Sequence, residues 1–258
     1  MKDKYQELKK WFESYVSNFK LSEKEDQKNI NLKIDHSYRV CKEMDRIVES
    51  FSLNKKEKYT ANIIALFHDV GRFMQYKKYK TFSDYESEDH AILGNNIMKE
   101  NNLLDNINPH RRNLIYKAIF YHNKPKLPED NDNLFYAKLI RDADKLDIWN
   151  IFIQKYEKED ENNHIIKLQH TPEINEKIYR KVLNNELIKY NTLKSVNDLK
   201  MMQISWIYDI NFKKTLELIK ERNYLEIIYN SMDKNSKTDF LYEKINKYLN
   251  KKLKTKQP

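Results

Sequence analysis

Residues 62–72 read NIIALFHDVGR, an apolar helical face that runs into His68 and Asp69 and closes on Gly71. Neighbouring residues on a helix point about 100° apart, so a His-Asp pair can bracket one point beside the axis. At the end of an apolar stretch that point is a buried centre, and imidazole with carboxylate is a donor set for a divalent metal. The chain holds two glycines in 258 residues, Gly71 and Gly94, each shortly after a histidine, His68 or His90. A chain that avoids glycine elsewhere keeps it where a helix stops in a left-handed residue or where two backbones approach closely.

Working outward, the composition favours an all-α fold. Glycine and proline are scarce and hydrophobic residues make up 40%, so helices joined by polar loops are expected. Glycines 23 positions apart exclude a Gly-rich phosphate loop and a dinucleotide fingerprint. The net charge of +9 raises nucleic acid as a partner. Most of that charge is scattered lysine, which reads as a solvated basic surface. The single Cys41 falls on an apolar stripe, as a small buried residue in a reducing compartment. The opening MKDKYQELKK has no apolar core of a secretory signal, and the longest wholly apolar run, Ile63 to Phe67, cannot span a bilayer. A cytoplasmic protein away from membranes is expected.

Periodicity places the helices. Tyr5, Leu8, Phe12, Tyr15 and Phe19 mark an opening amphipathic helix that lies as a lid on the core. A second helix follows Asn31 to Lys33 with stripe Ile34, Cys41, Met44, Val48 and Phe51 and has His36 in its first turn; a third starts near Lys55 and carries His68 and Asp69 in its last turn. FMQYKKYKTFSDYESE, residues 73–88, reads as a structured loop beside the site. A helix begins at Asp89 and His90, another at Asn108 and Pro109 and ends at His122, and one from about Asn133 passes Trp149. The charged run EKEDENN, residues 157–163, divides a core, 1–158, from a C-terminal helical extension, 159–258, packed on it. Thr171 and Pro172 open the next helix, apolar periodicity continues through Trp206, Leu216, Ile228 and Tyr242, and the tail KKLKTKQP frays.

Four residues from separate helices make the constellation: His36, His68, Asp69 and Asp144. Mixed imidazole and carboxylate ligands suit Mn, Fe, Co, Ni or Zn, and the lack of thiolate argues against a closed structural zinc site. His90 and His122, one at a helix start and one at a helix end, supply a second metal with Asp69 as the bridge. Arg72 and Lys145, each near a ligand in sequence, are cations placed to meet charge on a bound substrate. Asp142 and Asp147 flank Asp144, and either orients a ligand histidine or positions a water. Arg39, Thr81 and Asp84 are weaker candidates for substrate contact. His110, His164 and His170 read as surface residues.

The segments HSYRV at His36, FHDVGR at His68 and RDADKLD at Asp144, in this order, resemble the HD-domain superfamily of metal-dependent phosphohydrolases over roughly residues 30–155. The resemblance implies a helical bundle, metal binding by His36, His68, Asp69 and Asp144, and hydrolysis of a phosphate ester. HAILG at His90 and FYHNK at His122 are similar to the segments of members with binuclear sites. The paired histidines and Gly-Tyr-Pro of the cyclic-dinucleotide branch are missing, and no synthetase-like partner domain is evident. The expected activity is a metal-dependent phosphomonoesterase or phosphodiesterase, with Asp69, Arg72, Lys145 and Asp147 at the chemistry, one or two metals per chain, a nucleotide or other small phosphorylated substrate, and a homodimer left open. The competing reading is a basic helical module that binds nucleic acid or protein and keeps a structural metal.

Overall fold

The computed structural model describes residues 2–129, 134–157, 168, 171 and 173–255, and these are helical with no strand among them. His164, His170, Pro172, the charged run after Glu157 and the last three residues of the tail lie outside the described residues. The chain divides into two compact units, Met1–Asp147 and Ile148–Pro258. That division falls inside one long helix, ahead of the charged run, because the helix continues unbroken past Asp147.

The first unit holds α1 (Lys2–Ser17), α2 (Lys24–Val48), α3 (Lys55–Phe67), α4 (Val70–Tyr79), α5 (His90–Glu100), α6 (Pro109–His122) and the first part of α7 (Phe135–Glu157). Helix α1 buries Leu8, Phe12 and Val16, and Phe12 meets Phe67 and Phe73 edge-on at 5.8 and 5.9 Å. It thus covers the corner between α3 and α4. Helix α2 starts earlier than its apolar pattern suggests, so His36 sits in mid-helix rather than in the first turn. Its buried stripe is Ile30, His36, Val40, Met44 and Ile47, while Ile34, Cys41 and Phe51 are only half-buried. Burial pushes the Cys41 thiol up to about 12, which leaves it protonated and unreactive.

Asn54 and Glu57 close a reciprocal cap on α3. The helix stops at Phe67, not beyond Asp69: His68 is the residue that ends α3 and Asp69 the one that precedes α4. The two helices therefore meet at the His68-Asp69 pair. The first seven residues of the stretch expected to be a loop, 73–79, belong to the helix α4, whose buried face includes the polar Gln75. Only residues 80–89 form a loop, entered through Lys80 in a left-handed conformation.

Neither glycine adopts a positive φ, so the helix-stop explanation gives way to close approach. A Cβ on Gly71 would lie 2.1 Å from the His90 carbonyl oxygen and 2.7 Å from the Gly94 nitrogen. Helices α4 and α5 touch backbone to backbone there, which brings His90 next to Asp69. Asp89 caps α5 through the amides of Ala91 and Ile92, and Asn108 with Pro109 opens α6, which ends at the buried His122.

The second unit contains α8 (Glu176–Leu183), α9 (Val196–Ser205), α10 (Lys213–Glu221), α11 (Tyr224–Asn230) and α12 (Ser236–Lys254). Helix α8 is capped by Asn175, four residues after the cap expected at Thr171, and α12 stays helical to Lys254 where the tail was expected to fray. Helix α9 is buried from Asn197 to Ser205, and Trp149 packs on Trp206 at 5.6 Å. Among the described residues, no helix is long and apolar enough to cross a membrane.

Candidate metal centre

Four imidazoles converge on Asp69. Nε2 of His36 lies 3.3 Å from Nε2 of His68, and Nε2 of His90 lies 3.0 Å from Nε2 of His122. Asp69 stands between the pairs. Its Oδ2 is 3.5 Å from His36 and 3.8 Å from His68, and its Oδ1 is 3.2 Å from His90 and 3.7 Å from His122. Asp144 Oδ1 joins the first pair, 3.2 Å from His36 and 3.8 Å from His68. His36, His68 and Asp69 form one group that could hold a metal ion, and Asp69, His90 and His122 form another.

The hydrogen bonds behind the rings decide which nitrogen is bare. Each Nδ1 faces an acceptor: His36 faces Asp147 at 2.7 Å, His68 the Ala65 carbonyl at 2.8 Å, His90 Asp84 at 2.8 Å and His122 the Ile119 carbonyl at 2.6 Å. A proton on every Nδ1 leaves each Nε2 with a lone pair directed at its neighbour's lone pair. Such pairs repel at 3.0–3.3 Å unless a cation lies among them. The donor set therefore fits one or two divalent cations, and Asp69 offers one oxygen to each.

The electrostatics point the same way. Burial works against the charge of Asp69, yet Lys33 and the imidazoles outweigh it and hold its pKa well below the usual value. Burial likewise opposes the charge of Asp144, and His36 and His68 outweigh it, so Asp144 too is lowered. Burial pushes His68 down to about 4 and lowers His122. His36 differs: burial and Lys33 disfavour its cation, but Asp144 and Asp147 prevail and raise it. The cluster thus favours neutral imidazoles at His68 and His122 beside anionic carboxylates and a cation at His36.

Behind the rings, the surrounding residues hold one another and the ligands. Asp147, expected at the chemistry either to orient a ligand histidine or to position a water, has both oxygens engaged, Oδ2 by His36 and Oδ1 by Arg39 Nε at 2.7 Å. It orients His36, and Arg39, expected to contact substrate, holds Asp147. Arg72, expected to face phosphate, binds Asp84 Oδ1 and Gln75 Oε1 through Nη1, both at 2.8 Å, and also meets the Phe82 carbonyl. Asp84 in turn orients His90; burial opposes its charge, and His90, Arg72 and Gln75 lower its pKa. Thr81 bonds within its own loop, to Glu86 at 3.1 Å. Lys145 is half-buried beside Asp144, Asp142 is buried, and His110 is exposed.

Two residues of the site went unnoticed in the sequence. Lys33, one turn before His36 on the same face of α2, places Nζ 2.8 Å from Asp69 Oδ2. Arg141 reaches the carbonyls of Tyr121 and His122 at 3.2 and 3.1 Å and fixes the end of α6. The helical step from His36 would have flagged Lys33; for Arg141 only its neighbourhood to Asp144 was visible.

Residues 34–149 match a family model described as HD domain. Neither the curated proteins nor the solved structures contain a match to the chain. The matched segment spans all four histidines and all the carboxylates above.

Proposed function

With an HD domain over residues 34–149, a segment that indicates the metal-dependent phosphohydrolase superfamily, we propose that this chain hydrolyses a phosphate ester of a nucleotide or related small molecule, in the cytoplasm. The observation that carries the reading is the bare Nε2 of each histidine pair, set around the two oxygens of Asp69. His36, His68, Asp69 and Asp144 hold one divalent ion of the Mn, Fe, Co, Ni or Zn type, and Asp69, His90 and His122 hold a second. When bound, such ions supply Lewis-acid activation of water and neutralise phosphoryl charge.

The chain's own residues do the rest. Asp147 and Asp84 keep the protons of His36 and His90 on Nδ1, so that Nε2 stays a ligand. Arg72 ties the loop that carries Asp84 to α4. Lys145, next to Asp144, is the candidate to meet charge on the leaving group.

Elemental analysis of protein purified without chelator, followed by a phosphatase screen with added Mn, Co and Ni, tests this. The expected result is at least one metal per chain and hydrolysis that Asp69→Ala abolishes. An Asp69→Ala protein with unchanged metal and turnover would refute the assignment.

A further inference from the structure

The cations that the sequence singles out beside the site are largely spent. Arg39 is bound to Asp147 through both Nε and Nη2, and Nη1 of Arg72 is bound to Asp84, Gln75 and the Phe82 carbonyl. Each guanidinium holds a carboxylate that itself holds a histidine. Lys33 differs in holding a candidate ligand by a direct hydrogen bond: its Nζ rests 2.8 Å from Asp69 Oδ2, the oxygen nearest His36 and His68, whereas Arg72 Nε stands 3.6 Å from Oδ1. A divalent ion on that oxygen would compete with the ammonium for the lone pair and repel it by like charge.

Where the ammonium can go is set by exposure. The side chains of His36, His68, Asp69, His90 and His122 are at most 5% exposed, whereas Lys33 is 19% and Asp144 21% exposed. The centre opens to solvent where these two residues stand. Lys33 also lies over the Phe82 ring, 5.4 Å from its centroid, which holds the flexible stem at that opening while leaving the donors free to turn.

We infer that Lys33 is a phosphate-binding residue of this centre, its ammonium turning from Asp69 to a phosphoryl oxygen when Asp69 is engaged. This rests on the phosphohydrolase reading. An ammonium beside one or two dications is tolerated when an anion sits among them, and a phosphate group supplies it.

The test compares wild type, Lys33→Met and Lys33→Arg for Mn content by elemental analysis and for binding of inorganic phosphate to the Mn-loaded protein by calorimetry. Lys33→Met should hold at least as much Mn as wild type while its phosphate affinity drops about 10- to 100-fold, the loss expected for one charge-assisted hydrogen bond. Lys33→Arg should recover part of it. Equal phosphate affinity in Lys33→Met at full Mn occupancy would overturn the inference alone. Loss of Mn in Lys33→Met would also overturn it, by making Lys33 a structural support of Asp69. A wild-type chain that takes up no metal would instead sink the phosphohydrolase reading beneath it.

Discussion

Asp147 and Asp84 perform the same service for opposite halves of the centre. Each accepts from the Nδ1 of one histidine and is itself held by an arginine, Asp147 by Arg39 and Asp84 by Arg72. Replacing such a carboxylate behind a ligand histidine commonly weakens metal binding about 10- to 100-fold. Asp147→Asn should therefore weaken the ion at His36 and His68 and spare the other, and Asp84→Asn should do the reverse. Metal titration of the two variants checks this; equal loss at both ions in each would show that the carboxylates act on the fold and not on their own histidines. The four candidate ligands His36, His68, Asp69 and Asp144 were legible in the sequence because each sits in a short motif. Asp84 was read only as a weaker candidate for substrate contact, since its meeting with His90 depends on how residues 80–89 fold back onto α5.

At the scale of helices, the centre depends on α4 and α5 touching. Gly71 has no room for a side chain, with a Cβ 2.1 Å from the His90 carbonyl, whereas a Cβ on Gly94 would meet Val70 Cγ1 at 3.2 Å and Gly71 N at 3.3 Å. Gly71→Ala must push α5 away and take His90 with it. It should cost about 1–3 kcal/mol, as overpacking typically does, and lower the affinity for the second ion. Gly94→Ala should be milder on both counts. Thermal melts and metal titration of the two variants decide; Gly94→Ala as damaging as Gly71→Ala would contradict the contact. The sequence marked both glycines as meaningful and left the reason open between a left-handed stop and close approach. It also hid α4, because a helix that buries Gln75 and ends in Lys77, Lys78 and Tyr79 shows no clean apolar stripe. For the same reason α2 looked shorter than it is: its first two turns bury only Ile30.

For the molecule as a whole, metal and folding are linked through protons. The candidate ligands gather groups from α2 through α7, so an ion that binds only the folded chain stabilises that whole unit, by about 2.7 kcal/mol at a hundred times its dissociation constant. Protons compete for the same nitrogens. His68, lowered to about 4, stays neutral in the folded chain while the unfolded chain takes up a proton below 6.5; the unfolded state then binds more protons, and His68 withdraws stability as pH falls from 6.5 towards 4. His36 is raised, so its contribution has the other sign: it is full below 6.5 and fades as pH climbs through its folded value. Metal must displace that proton from His36, so its affinity rises with pH across this range and falls steeply below about 6, where imidazoles protonate. The melting temperature should accordingly climb with added Mn at pH 8, climb less at pH 6, and ignore Mn at pH 4.5. A Mn-dependent rise that persists at pH 4.5 would mean that carboxylates alone hold the ion, and the histidine pairs would need another explanation.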